Sequence, residues 1–228
     1  MRIDPLSPEF KAHMPETTVP DLTAEERQVN MEYTKAKTAK LLLEIRNVEI
    51  NLRDTEASPD ESQVYPYFGD IDAVSAARFI QTTSLWNRRR PGSDITVILN
   101  SNGWSVFSGL GVYDHIQGLR AKGHKVTIKV LSLGASMAAI VLQAGTERLI
   151  GSNALLLLHE GGGELSGTMA AMEDGQKLFS VLNERTANIV ADRTGMSVRK
   201  YKSLIKRRDA WLTAPEALEL NLVDRIED

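Results

Sequence analysis

The sequence predicts an α/β fold on a mostly parallel sheet, and two observations carry that reading. Short apolar, β-rich runs at residues 94–99, 125–131 and 154–158 alternate with helical patterns at 72–86, 109–121 and 136–144. Such alternation makes βαβ units whose crossovers lay helices on the sheet, so both faces are expected to be covered. The composition agrees: 228 residues, 42% hydrophobic, 25% charged and net charge −3 fit one core of good size with an appendage.

The elements follow in order. Residues 1–22 carry Pro5, Pro8, Pro15 and Pro20, mixed charges and no hydrophobic centre, so they read as a disordered or vector-derived tail. Glu9-Phe10 and His13-Met14 look like translated cloning sites, with a natural start at Met14 or Met31. Thr23-Ala24-Glu25-Glu26 is a capping box, and no proline or glycine follows until Pro59. Residues 23–63 therefore read as an N-terminal helix and an acidic linker. Residues 64–228 form the α/β domain. A long helix is expected over Thr168 to Arg193, stopped by Gly195, and Thr213-Ala214-Pro215-Glu216 caps a short last one.

Composition removes several chemistries. Without cysteine there is no disulfide, no thiol nucleophile and no thiolate zinc site. The apolar runs at Leu41 to Leu43 and Leu155 to Leu158 are too short to cross a bilayer, and the start does not resemble a signal peptide, so a cytoplasmic protein without a membrane partner is expected. The near-neutral charge argues against a nucleic-acid partner, and Arg88 to Arg90 read as a solvated turn. Only His13, His115, His124 and His159 could supply an imidazole.

Chemistry concentrates at Gly134-Ala135-Ser136-Met137-Ala138, where a strand passes through a glycine turn into a helix of small residues. An oxyanion formed beside Ser136 would meet the free amides of the first helical turn. The bland alternative is a helix N-cap. His159 follows the strand Leu155 to Leu158, where open sheets place their sites, and could take the Ser136 proton; a packed structural histidine is the other reading. Asp209 sits between Lys206-Arg207-Arg208 and Ala210-Trp211-Leu212; it could orient the imidazole or pair with an arginine on the surface.

Other motifs fail. The acid comes last in the chain, and Ala138 stands where an α/β-hydrolase elbow has its second glycine. Gly118 to Gly123 carries His124 at the lysine position of a phosphate loop, Gly109-Leu110-Gly111 is followed by Asp114 rather than a third glycine, and His159-Glu160 lacks a second histidine.

Over residues 64–228 the chain resembles the Clp proteolytic subunit family of serine peptidases. Asn100-Ser101-Asn102-Gly103 is similar to that family's Asn-Ser-Pro-Gly-Gly turn, followed by Gly109 and Tyr113-Asp114 at the family spacing. Gly134 to Ala138, Leu158-His159, Arg208 to Ala217 and Asn221-Leu222-Val223-Asp224 resemble its remaining blocks in order. The resemblance implies a Clp/crotonase-like ββα superhelix with a handle helix over Thr168 to Arg193. It implies Ser136 as nucleophile, His159 as base and Asp209 as orienting acid, with no metal and no cofactor. Met137 and Trp104 would donate oxyanion-hole amides beside Gly103, and Gly161, Gly162 and Gly163 would pair with an extended substrate. Trp104 and Asn102 depart from the pattern, standing for a glycine and a proline.

By the same resemblance the product is an ATP-independent endopeptidase acting on polypeptides inside a homo-oligomeric chamber of heptameric rings, stacked in pairs through the handle. Family members meet an AAA+ unfoldase through short axial loops, where this chain has the predicted helix from Thr23. Its host would be a bacterium or a phage-infected cell. The alternatives are a catalytically weak or inactive structural paralogue that keeps the fold for assembly, and a phage protease that processes capsid or scaffold proteins.

Overall fold

A computed structural model describes residues 63–163 and 166–227, together with Thr23, Gln28, Met31 and Lys37. Of the predicted N-terminal helix and linker, Gln28, Met31 and Lys37 are helical, Thr23 has no regular structure and Gln63 already belongs to the first strand; the tail and the other residues of 23–63 lie outside the described residues.

Seven strands and six helices make up the described part of the chain from residue 63 onward. In order they are β1 (Gln63–Phe68), α1 (Ala73–Arg89), β2 (Ile95–Ser101), α2 (Val106–Ala121), β3 (Val126–Ala135), α3 (Met137–Leu142), β4 (Glu147–Ile150) and β5 (Leu155–Leu158). Then come α4 (Met169–Thr194), α5 (Val198–Ile205), β6 (Ala210–Thr213), α6 (Ala214–Glu219) and β7 (Arg225–Ile226).

Strands β1-β2-β3-β4-β7 lie parallel in that order, as the alternation predicts. The sheet then forks on β3. Its first half pairs with β4, its last three residues pair with β5, and β6 joins β5 antiparallel. A bulge makes the fork: Leu99 faces Val130 but Ser101 faces Gly134, so β3 spends two extra residues there and turns onto a second layer.

That detour corrects one expectation. Gly134 is not a turn residue but continues β3, where a Cβ would stand 2.9 Å from Leu156 Cδ2. Glycine is needed there for strand-to-side-chain contact. Helix α2 starts earlier than its pattern suggested, because Ser105 caps it by accepting the Ser108 N–H. The predicted stop and the predicted start are both present: Gly195 at φ 77 ends α4, and Thr213 and Glu216 form a capping box that begins α6.

The sheet faces differ. Ile95, Val97, Leu99, Val126, Ile128 and Val130 are buried, whereas Thr96, Ile98, Thr127 and Lys129 are partly covered among the described residues. The short last strand is held electrostatically. Arg148 of β4 is 2% exposed, pairs with Asp224, and donates to Gln143 Oε1 at 2.7 Å and Asn221 O at 2.9 Å. Burial pushes the Asp224 carboxyl up, but the Arg148 hydrogen bonds and charge outweigh it and hold it below the usual carboxylate range. Among the described residues no helix is long and apolar enough to cross a membrane.

Candidate active site

Ser136 occupies the N-cap position of α3 without acting as a cap. Its backbone sits at φ 54 and ψ −120, and its side chain makes no capping hydrogen bond. The strand pairing sets this geometry: the Ser136 N–H donates to Leu157 O at 2.7 Å, continuing the β3–β5 ladder through the turn. The hydroxyl is thereby released from the helix end. It lies 2.6 Å from His159 Nε2, at the carboxyl end of β5.

The antiparallel pairing of β5 with β6 brings in the third residue. Leu158 faces Ala210, so the next position of each strand places His159 opposite Asp209. His159 Nδ1 and Asp209 Oδ1 are 3.7 Å apart, an ion-pair distance longer than a hydrogen bond. Both side chains reach solvent, at 37% and 59% exposure.

Gly103 closes in from the other side. A Cβ at this position, which has φ 88, would stand 2.6 Å from Ala135 O and 2.7 Å from the Met137 nitrogen, so only glycine lets the two turns meet. Its N–H donates to Ser101 Oγ at 3.0 Å and its carbonyl accepts the Ile71 N–H at 2.6 Å. Gly103 therefore frames the site instead of offering its N–H to an oxyanion. Trp104 forms a parallel bridge with Ile71 in which Gly103 O and Ser105 N make the bonds, so the Trp104 peptide N–H faces away from Ile71. Its φ is 117, a conformation open mainly to glycine, and its side chain is 75% exposed. Met137 follows Ser136 as the first residue of α3, where backbone N–H groups have no intrahelical acceptor.

A cleft opens beside Ser136 and His159 between Val106, Met137 and Ile140 on one side and Phe179, Leu182 and Thr186 of α4 on the other. The three glycines after His159 do not behave alike. The Gly161 N–H donates to Asn183 Oδ1 at 2.9 Å, and Asn183 Nδ2 donates back to Gly161 O at 3.1 Å. Gly161 is thus already paired within the chain and is not open to a substrate strand. A Cβ on Gly163 would meet Phe179 Cζ at 2.7 Å, while one on Gly162 would meet nothing within 4 Å.

The other described histidines are used elsewhere. His115 Nε2 lies 2.8 Å from Thr83 Oγ1, and burial first, then the Lys122 charge, pushes its imidazole below its ordinary value. His124 is buried, with Nδ1 2.6 Å from Ser93 O and Nε2 2.9 Å from Asn87 Oδ1. His13 lies outside the described residues. Among the described residues no cluster of three His, Asp or Glu side chains could hold a metal ion. Sequence reasoning missed Asn183, Phe179 and Thr186; α4 reads as an amphipathic stripe, and only its packing against residues 161–163 gives these positions meaning.

A forked parallel sheet with a serine and an imidazole meeting at its strand ends defines a class of hydrolase-like α/β proteins. Comparison narrows the class: the family model described as Clp protease matches residues 60–228, and the chain belongs to that family. It is 33% identical over 138 residues to an ATP-dependent Clp protease proteolytic subunit of Porphyromonas gingivalis, covering 60% of each chain. It is 34% identical over 158 residues to the ATP-dependent Clp protease proteolytic subunit 2 of Tropheryma whipplei, covering 68% of this chain and 86% of the relative. With subunit 3 of Streptomyces coelicolor it shares 31% over 158 residues, covering 68% and 71%.

Proposed function

We propose that this chain is a serine endopeptidase in which Ser136 is the nucleophile, His159 the general base and Asp209 the acid that orients it. One observation carries the reading: the Ser136 hydroxyl, at a helix N-cap, ignores the helix and lies 2.6 Å from His159 Nε2. Oγ attacks the substrate carbonyl carbon while Nε2 takes its proton. The carbonyl oxygen becomes an oxyanion, received by the Met137 and Trp104 N–H groups. Collapse breaks the C–N bond, and the imidazolium returns its proton to the leaving amine. Water then attacks the acyl ester, His159 takes its proton, and Oγ leaves as the restored hydroxyl. Asp209 favours the imidazolium at both stages.

No step consumes a nucleotide, so hydrolysis itself is independent of ATP. An unfolded polypeptide would lie extended against Gly162 and Gly163, with one side chain in the cleft against Leu182 and Phe179. Met169, Met172, Leu178 and Val181 are exposed along α4, which supports pairing of oligomeric rings through this helix and a chamber with inward-facing sites. Incubating the protein with an unstructured polypeptide and separating the fragments tests the reading. Fragments are expected from the wild type and none from Ser136→Ala; equal release by both would refute it.

A further inference from the structure

The geometry points to Asn183 as a positioning residue for His159: its carboxamide grips both peptide groups of Gly161 and ties the segment after the imidazole to helix α4. The inference rests on the peptidase reading and names what holds the base in place. His159 lies one residue beyond β5, so the sheet supports it from one side only. After it, the first hydrogen bonds among the described residues are a long one, from the Arg207 N–H to the Glu160 carboxylate at 3.3 Å, and the fork at Gly161.

A carboxamide sets an acceptor oxygen and a donor NH2 group side by side in one plane, so on Gly161 it copies the paired bonds that an antiparallel strand exchanges with a single residue. Turning the amide over would set N–H against N–H and oxygen against oxygen, which fixes its orientation. A Cβ on residue 161 would stand 2.9 Å from Asn183 Oδ1, so a larger residue there would displace the carboxamide. Two residues on, Gly163 presses against Phe179, one helical turn before Asn183 on the same face of α4. The helix is well anchored, with Leu182, Ala187 and Val190 buried and Arg193 bonded to Gly145 O and Thr146 O. Asn183 also lines the cleft that Ser136 and His159 share. The fork therefore passes the position of a rigid helix to the backbone two residues from the base, where a displacement of an ångström costs about a hundredfold in rate.

The test is a double-mutant cycle on full-length protein, reading fluorophosphonate modification of Ser136 as a maximal rate and a half-saturating concentration. Asn183→Leu removes both bonds at similar volume, and Gly161→Ala pushes the carboxamide away with its Cβ. Each single variant is expected to lower the maximal rate about tenfold or more, with half-saturation within about twofold of the wild type. Because both break one fork, the double variant should be no slower than the slower single. Asn183→Asp keeps the bond from the Gly161 N–H and should fall between the wild type and Asn183→Leu; it also supplies a folded comparison if the leucine variant does not fold. Singles that match the wild type, or losses that multiply in the double variant, would overturn the positioning role. A wild type that is not modified at Ser136 would instead refute the peptidase reading itself.

Discussion

Replacing Trp104 with glycine should make this protein more stable, although it deletes the largest side chain the chain can carry. The residue holds φ 117, and a non-glycine residue in such a conformation costs about 1–3 kcal/mol. Glycine removes that strain but gives the unfolded chain more freedom, which costs about 0.4–1 kcal/mol. The indole is 75% exposed, so little burial is forfeited. The balance is a gain of about 0–2.6 kcal/mol, with a midpoint of about 1.3, and a domain of this size gains about 2–4 °C in melting temperature per kcal/mol. Trp104→Ala separates the causes. It removes the ring but keeps the Cβ and hence the strain, and should stay within about 0.5 kcal/mol of the wild type. Urea denaturation of the three proteins side by side decides the matter. A glycine variant equal to or weaker than the alanine variant would refute the strain reasoning and mean that the indole itself holds the turn.

Three further outcomes are expected. Asp209→Asn should slow peptide cleavage by about tenfold to about 10⁴-fold, nearer the lower end because Asp209 is 59% exposed and 3.7 Å from the imidazole; unchanged cleavage at saturating substrate would remove the acid from the mechanism. Arg148→Ala should cost about 1–3 kcal/mol in chemical denaturation, since it leaves Gln143 Oε1 and Asn221 O without their donor around a buried hole, while Asp224, one-third exposed, keeps the backbone N–H of residue 148 and the Arg193 guanidinium; a loss below about 0.5 kcal/mol would show the network to be dispensable. In alkali, Tyr65 and Tyr201 are pushed by burial from 10.0 up to about 12. Their folded values are raised, so the stability they supply is intact below pH 10.0 and lost as pH climbs towards about 12. Unfolding followed by tyrosinate absorbance should therefore set in within that window, and a protein equally stable on both sides of it would contradict the burial of these phenols.

The sequence made the parallel core legible because the period of its apolar residues switches cleanly from strand to helix across β2, α2 and β3. It was silent on β4, β6 and β7, of four, four and two residues, which are too short to show a period and exist through pairing with neighbouring strands, and on β1, whose run is interrupted by Pro66. The site divides in the same way. Ser136 and His159 could be read from their places at strand ends, and Asp209 from its family block. The reason Asp209 faces His159 is the antiparallel register of β6, which no local pattern encodes. Gly103 reads as part of a turn and Gly161 as a member of a glycine run, whereas their close approaches to Met137 and Asn183 are set by tertiary contacts alone.

Treatment with a fluorophosphonate, digestion and mass mapping of the adduct would put the pairing of serine and imidazole to the test. The adduct is expected on Ser136 in the wild type and is expected to vanish in His159→Ala. An adduct at another residue, or undiminished modification of Ser136 without the imidazole, would contradict the catalytic role assigned to this pair.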